Sequence, residues 1–148
     1  KFPKNLILNI TKSEILLSGQ QLARAEQSIE KVLTISPGNY PASIIQSKIL
    51  SAKKEIIKAE EVLRDLLIKK NRDPSLWMQL SEVQRAGKNI VGYHLSRGEY
   101  YLLIGDFENA LNQFQFALRL SGNSFQASET IITKIKFAQE RLGNKRGF

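Results

Sequence analysis

Few side chains in this sequence could carry out acid–base or metal chemistry. His94 is the only histidine, and cysteine is absent. A zinc site built from several histidines or thiolates therefore cannot form from this chain alone, and neither can a cysteine nucleophile. His94 could act as an acid–base residue, with Glu99 as the one acidic side chain near it. Its position on a helix beside Tyr93 and Tyr101 favours packing between helices instead.

Two further patterns in the sequence do not indicate catalysis. Glu82 and Glu99 lie on different predicted helices, so they are weak evidence for a paired-carboxylate site. Gly98 and Gly105 form no phosphate-binding loop, because Gly105 ends a helix rather than following a strand. We interpret Trp77 as a core anchor. The sequence therefore predicts no catalytic residue, no metal site and no cofactor in this chain.

The elements that must position these residues are helices. Apolar residues recur at intervals of three and four, as in Leu22, Ala25 and Ile29, and alternating strand-like runs are missing. Short turns separate the apolar stripes; Asp73 and Asp106 are predicted N-caps of the helices that follow them. The predicted fold class is all-α. The eight predicted helices span about 6–17, 22–35, 40–52, 56–70, 74–86, 91–104, 107–120 and 125–142.

The helices repeat along the chain. The shift that places Leu22 on Ile56 also places Ala25 on Ala59. Paired helices at this period, about 34 residues, resemble the tetratricopeptide repeat. The third unit is out of step, because Ala110 follows Ala59 by one and a half periods, so an extra helix at 74–86 precedes it. The signature positions of that unit hold His94, Gly98, Tyr101, Gly105, Ala110, Phe114 and Ala117.

Small residues at the signature positions let antiparallel helices approach closely, and large residues fill the groove between them. Because one helix pair cannot bury its own apolar face, neighbouring pairs stack. The predicted architecture is a tetratricopeptide-like, right-handed superhelix of about eight helices. Residues 1–142 form one helical-repeat domain and 143–148 a frayed tail. An irregular helical bundle is the alternative.

The segment from Trp77 onward carries a narrower pattern. Trp-x-x-Leu is followed by His-x-x-x-x-Glu-Tyr, Gly-Asp and Ala-x-x-Gln-x-x-x-Ala-Leu. This pattern resembles the carboxyl-terminal repeat region of bacterial periplasmic zinc metalloproteases of the β-barrel assembly-enhancing type, and residues 36–42 resemble a turn between that family's earlier repeats. The residues that match are Trp77, Leu80, His94, Glu99, Tyr100, Gly105, Asp106, Ala110, Gln113, Ala117 and Leu118.

The resemblance implies an accessory role. In that family a preceding peptidase domain carries the zinc motif His-Glu-x-x-His, which this chain lacks. We read the chain as a fragment of a longer protein, and we expect zinc only in that missing domain. The implied function is a periplasmic, non-catalytic protein-interaction domain that packs on its own peptidase domain and engages outer-membrane proteins or their assembly machinery. Ser96 and Gly98 depart from the family pattern, so a stand-alone scaffold or adaptor is the alternative.

The net charge of +8 raises a second alternative, a helical-repeat nucleic-acid binder. The charge is spread along the chain, however, and acidic residues interleave with the clusters near Lys53 and Lys69. This distribution is typical of solvated helix faces, so we predict protein or peptide partners and no nucleic acid. The longest apolar stretch, Tyr100 to Ile104, is far too short to span a membrane.

The repeat phase also predicts a binding surface. In tetratricopeptide arrays the first helix of each unit lines a concave groove. A mixture of apolar and charged side chains in such a groove suits extended or helical peptide segments. By this phase the predicted groove residues are Ile10, Glu14, Ile44, Lys48, Met78, Glu82 and Arg85.

Overall fold

A computed structural model describes residues 2–147 of the chain, with side chains from residue 5 onward. Lys1, in the predicted domain, and Phe148, in the predicted tail, lie outside the described residues. Eight α-helices and no strand occur within 2–147, which confirms the all-α prediction. The helices are α1 (Phe2–Ser18), α2 (Leu22–Ile35), α3 (Tyr40–Ala52), α4 (Ile56–Lys69), α5 (Pro74–Ala86), α6 (Ile90–Leu103), α7 (Phe107–Leu120) and α8 (Phe125–Arg146).

The helices group into two compact units, which we call unit 1 and unit 2. Unit 1 contains α1 to α4 and ends at Lys70; unit 2 contains α5 to α8 and begins at Asn71. The grouping of 1–142 into one repeat domain stays a prediction.

The two ends of the helical region differ from the predicted bounds. α1 begins at Phe2, before the predicted start at 6. α8 continues to Arg146, so residues 143–146 are helical rather than frayed. Lys145 and Arg146 in the last turn interact favourably with the helix dipole. Arg146 also lies 4.0 Å from a carboxylate oxygen of Glu108 on α7.

Polar side chains fix where several helices begin. The side chains of Asn39, Asp73, Asp106 and Ser124 each accept a hydrogen bond from a backbone N–H in the first turn of the following helix. Each bond satisfies a donor that the helix itself leaves unpaired. The predicted N-caps Asp73 and Asp106 are therefore confirmed.

The turns recur at a spacing shorter than the full repeat. Gln20, Lys54 and Lys88 all adopt positive φ angles of 58° to 67°, and each is one repeat period from the next. Gly105 and Gly122, also with positive φ, follow Lys88 at successive intervals of half that period. One helix with its turn therefore occupies half a repeat, and the offset of the third unit by one and a half repeats equals one extra helix.

In unit 1, α1 packs on α2 and α3 on α4, while α3 also contacts α1 and α2. Ser13 and Ala25 are fully buried where α1 and α2 meet, and Ser13 Oγ donates a 2.8 Å hydrogen bond to the Ala25 carbonyl. Ala59 is likewise fully buried on α4. These small side chains permit the close approach that the repeat signature predicts. One hydrophobic cluster in the core of unit 1 comprises Leu16, Ala25, Ile29, Val32, Ala42, Ile45 and Ile49.

In unit 2 each helix packs on the next, from α5 to α8. α6 and α7 approach closely where Gly98 faces the ring of Phe114, because a β-carbon at Gly98 would lie only 2.2 Å from Phe114 Cε1. Tyr101 packs against the same core. The repeat signature therefore describes α6 and α7 as one hairpin. One hydrophobic cluster in the core of unit 2 comprises Ala110, Phe114, Ala117, Ile131 and Ala138.

We expect Asp106→Ala to lower the free energy of unfolding by about 1 kcal/mol at pH 7, a typical loss for an N-cap. Hydrogen bonds from the Asn109 side chain and backbone N–H lower the pKa of Asp106 below its ordinary value. A carboxyl whose pKa is lowered by folding stabilises the protein above its unfolded pKa, and this contribution disappears as pH falls through the folded pKa. The cost of Asp106→Ala should therefore shrink between pH 5 and pH 2.5 in urea unfolding.

Ser124→Ala is the matched control, because Ser124 caps α8 with a neutral hydroxyl. Its effect should not change over this pH range. If the free energies of unfolding of Asp106→Ala and the parent chain differ by the same amount from pH 5 to 2.5, the role given to the Asp106 charge is contradicted.

Candidate functional site

His94 links α6 to α7. Its Nδ1 lies 2.8 Å from Gln113 Oε1, within hydrogen-bonding distance. The His94 ring stacks on Phe116, with centroids 5.2 Å apart. The interpretation of His94 as a residue that packs between helices is confirmed. Phe116 itself is 43% exposed.

The glutamates considered as a carboxylate pair each bind a different cation. Glu82 pairs with Arg85 on the same helix, whereas Glu99 on α6 pairs with Lys134 on α8. These ion pairs give each carboxylate a structural partner. In the part of the chain that the structure describes, no three His, Asp or Glu side chains are grouped closely enough to hold a metal ion.

Trp77 is half-buried rather than a core anchor. Its indole N–H donates a 2.9 Å hydrogen bond to the carbonyl of Asn71, and this bond ties the turn before α5 to the first part of that helix. Leu76 and Leu80 of the same helix are fully buried, whereas Trp77 is not. The predicted role is therefore corrected from core filling to fixing the turn.

The predicted groove residues of unit 1 lie on α1 and α3, two helices in contact. Ile10 is half-buried and packs against the unit 1 core, and Ile44 is half-buried. Glu14 and Lys48 are exposed. The surface thus mixes apolar and charged side chains as predicted, and its role in binding stays a prediction.

The predicted groove residues of unit 2 lie on α5, and one of them, Met78, lies beside Arg97 of α6. Met78 is half-buried, with its sulfur 3.7 Å from Nη1 of Arg97. Arg97 donates a 3.0 Å hydrogen bond to the Tyr101 hydroxyl and lies over the rings of Tyr93 and Tyr101. Met78 therefore contacts the neighbouring helix, which the repeat phase alone does not predict. Arg85 and Glu82 lie on the same helix and pair with each other.

A cavity of about 320 Å³ lies elsewhere in unit 2, between α6 and α8. Leu102 and Leu103 supply an apolar wall, and Glu99 beside them is bound by Lys134 of α8. Arg141 lies over the Phe137 ring, 5.1 Å from its centroid. We call this the unit 2 cavity; its lining residues are Arg72, Glu99, Leu102, Leu103, Phe107, Phe137 and Arg141.

The unit 2 cavity was not predicted from the sequence, although the sequence contains a signal for it. Leu103 and Phe137 are one repeat period apart in the sequence, and so are Phe107 and Arg141. If α6 is the first helix of the third unit, a shift of one repeat therefore places α8 on the same face as α6. The groove prediction used α5 instead, the helix that precedes the hairpin of α6 and α7, and its role in binding stays a prediction.

Some of the positive charge of unit 1 is neutralised within the unit. Lys53 is bound by Glu26 and Glu55, with Nζ to oxygen distances of 2.8 Å and 2.9 Å. These hydrogen bonds, Glu26 first, raise the pKa of Lys53 to about 12. Hydrogen bonds from Lys58 and Lys53 lower the pKa of Glu55. Lys53, which belongs to one of the basic clusters, is therefore engaged by acidic side chains of its own unit.

Comparison with known proteins addresses the fold. No protein-family model matches the chain, and no curated protein matches it. A solved structure does match: a tetratricopeptide repeat protein from Parabacteroides merdae, with 18% sequence identity, a TM-score of 0.52 and 93% of this chain covered. The fold is tetratricopeptide-like. The chain spans 59% of the length of that protein chain.

The tetratricopeptide-like fold accounts for the positions of the signature residues. Ala25, Ala59, Ala110 and Ala117 are fully buried at the helix contacts, and Phe114 fills the gap that Gly98 leaves. None of the helices in the described part of the chain is long and apolar enough to cross a membrane.

Proposed function

We propose that this chain is a protein-interaction domain, and that unit 2 binds peptide segments of a partner protein. The observation that carries the proposal is the unit 2 cavity, in which leucine and phenylalanine side chains lie next to two arginines. Apolar walls with a few polar groups are the usual composition of a binding site, because the apolar surface supplies affinity and the polar groups fix orientation. The tetratricopeptide-like fold supports the same proposal, since such folds serve as interaction scaffolds.

We propose further that the domain is the non-catalytic repeat region of a periplasmic zinc metalloprotease of the β-barrel assembly-enhancing type. Support comes from the residues that carry the resemblance, beyond those any tetratricopeptide hairpin needs. Three of them make specific contacts in unit 2: Trp77 to Asn71, His94 to Gln113, and Glu99 to Lys134. In this proposal zinc is held by the peptidase domain, and the partners are that domain and outer-membrane proteins or their assembly machinery.

The gene that encodes this chain provides the first test of the protease assignment. We expect an open reading frame in which a segment upstream of the repeats contains His-Glu-x-x-His. Its absence from the complete reading frame would exclude the metalloprotease and leave the stand-alone scaffold. Fractionation of cells that produce the full protein tests localisation, with recovery in the periplasmic fraction as the expected result.

We expect the double variant Met78→Ala, Arg85→Glu to recover less of the outer-membrane assembly machinery in a crosslinking or pull-down experiment. Loss of the Met78 side chain should speed dissociation, and reversal of the Arg85 charge should slow association and change its salt dependence. Because Met78 also contacts Arg97, circular dichroism must show that the variant is folded.

Glu61→Gln is the control for the double variant, since it changes one exposed charge in unit 1 outside the predicted groove. Equal partner recovery by the double variant and the parent chain would remove α5 from the binding surface. The unit 2 cavity and the predicted groove residues on α1 and α3 would then remain as candidates.

A further inference from the structure

The two arginines of the unit 2 cavity have no acidic partner among the described side chains. Neither Arg72 nor Arg141 forms an ion pair there, whereas the one carboxylate in the lining, Glu99, is bound by Lys134. Arg141 is held over the Phe137 ring, an arrangement that orients a guanidinium while leaving its N–H donors available. The cavity therefore offers positive charge to a ligand and little negative charge.

The apolar walls of the same cavity limit what the ligand can be. Leu102, Leu103 and Phe107 line it together with the Phe137 ring. A volume of about 320 Å³ is at the lower end for ligand sites, enough for one large side chain and its backbone. The occupant must therefore carry an apolar group and a negative charge within a short distance of each other.

A chain terminus meets this requirement better than an internal segment. In an extended peptide, neighbouring side chains point to opposite sides, so an internal acidic residue and its apolar neighbour do not enter one small cavity together. A C-terminal residue carries its side chain and its free carboxylate on the same carbon atom. Arginine binds a carboxylate with two charge-assisted hydrogen bonds, which favours the free acid over any neutral end group.

We propose that the unit 2 cavity binds the C-terminal residue of a partner protein, with its apolar side chain against Phe107 and Phe137 and its carboxylate on Arg72 and Arg141. The inference rests on the proposed peptide-binding function and assigns the chemistry of the peptide. The partner is then recognised through a free, apolar carboxyl terminus.

Fluorescence anisotropy on the whole 148-residue chain tests the proposal with three labelled hexapeptides. The first is Gly-Ser-Gly-Ser-Gly-Phe with a free carboxylate, the second is its C-terminal amide, and the third ends in Gly with a free carboxylate. We expect the first peptide to bind at least about tenfold more tightly than each of the others. The third peptide has the charge of the first, so it accounts for general attraction to the basic chain.

Arg141→Gln and Arg72→Gln should each remove most of the preference for the free acid over the amide. Arg119→Gln is the matched control, because Arg119 also lies over a phenylalanine, Phe116, at 4.6 Å but outside the cavity lining. That variant should bind like the parent chain. Unchanged melting temperatures show that the exposed substitutions leave the fold intact.

Equal binding of the free acid and the amide, or binding of neither, overturns the proposal. The outcomes also separate it from the proposed function. If Phe137→Ala weakens both peptides equally, the cavity binds peptides without reading the carboxylate, and only the present inference fails. If no peptide binds and crosslinking at the cavity captures no partner, the peptide-binding function of unit 2 fails as well.

Discussion

Gly98→Ala is expected to destabilise unit 2, although alanine is normally the better helix residue. An exposed helical glycine gains about 1 kcal/mol of stability on this change. At Gly98 the new β-carbon would lie 2.2 Å from Cε1 and 2.6 Å from Cδ1 of the fully buried Phe114 ring. Overpacking of this kind costs about 1–3 kcal/mol, and contacts this short place the cost at the upper end. We expect a net loss of about 1–2 kcal/mol in equilibrium urea unfolding.

Two further variants make the Gly98 result specific. Gly143→Ala in α8 is the control, since a β-carbon there meets nothing within 4 Å, and it should be neutral or stabilise by up to about 1 kcal/mol. Gly98→Ala combined with Phe114→Leu should lose less than the sum of the two single changes, because the smaller side chain yields the space. Stabilisation by Gly98→Ala comparable to that by Gly143→Ala would contradict the close contact of α6 and α7.

Ala110→Leu should lower the melting temperature by roughly 3–10 °C, which corresponds to an overpacking cost of about 1–3 kcal/mol. Ala110 is fully buried on α7 within the unit 2 core, next to Phe114 and Ala117. Its counterpart in unit 1 is Ala25, whose carbonyl accepts a hydrogen bond from Ser13 across the helix contact. A leucine at either position must displace the opposite helix.

Ala23→Leu controls for the change of residue type. Ala23 is exposed on α2, so a leucine there meets solvent and should change stability by no more than about 0.5 kcal/mol. Thermal unfolding followed by circular dichroism compares the two variants. An unchanged melting temperature for Ala110→Leu would mean that the assigned repeat phase is wrong.

Local sequence signals predicted most of the fold. The apolar spacing predicted eight helices, and the caps at Asp73 and Asp106 fixed where α5 and α7 begin. The C-terminal bound of α8 was missed because Gly143 resembles a helix stop, whereas basic residues in the last turn and a contact with Glu108 support the helix beyond it. Such contacts join residues far apart in the chain, so a local pattern does not contain them.

The candidate site was harder to predict than the fold. Because the turns recur at half the repeat period, each helix resembles both the first and the second helix of a repeat. The face predicted to line the groove depends on which of these two positions the helix is assigned. Small residues decide between the readings: Gly98 facing Phe114 pairs α6 with α7. The partners of His94 and Glu99 are Gln113 and Lys134, which are distant in the sequence, and only packing of the helices brings them together.

The indole of Trp77 gives the chain a built-in optical label. Trp77 is the only tryptophan of the chain, and its hydrogen bond to the Asn71 carbonyl lies within unit 2. Unit 1 contains no tryptophan and one tyrosine, Tyr40. Emission excited at the red edge of the absorption band therefore monitors unfolding of unit 2, whereas far-ultraviolet ellipticity sums over all the helices. Comparing the two signals along one denaturation curve measures whether the two units unfold as one cooperative domain or in separate steps.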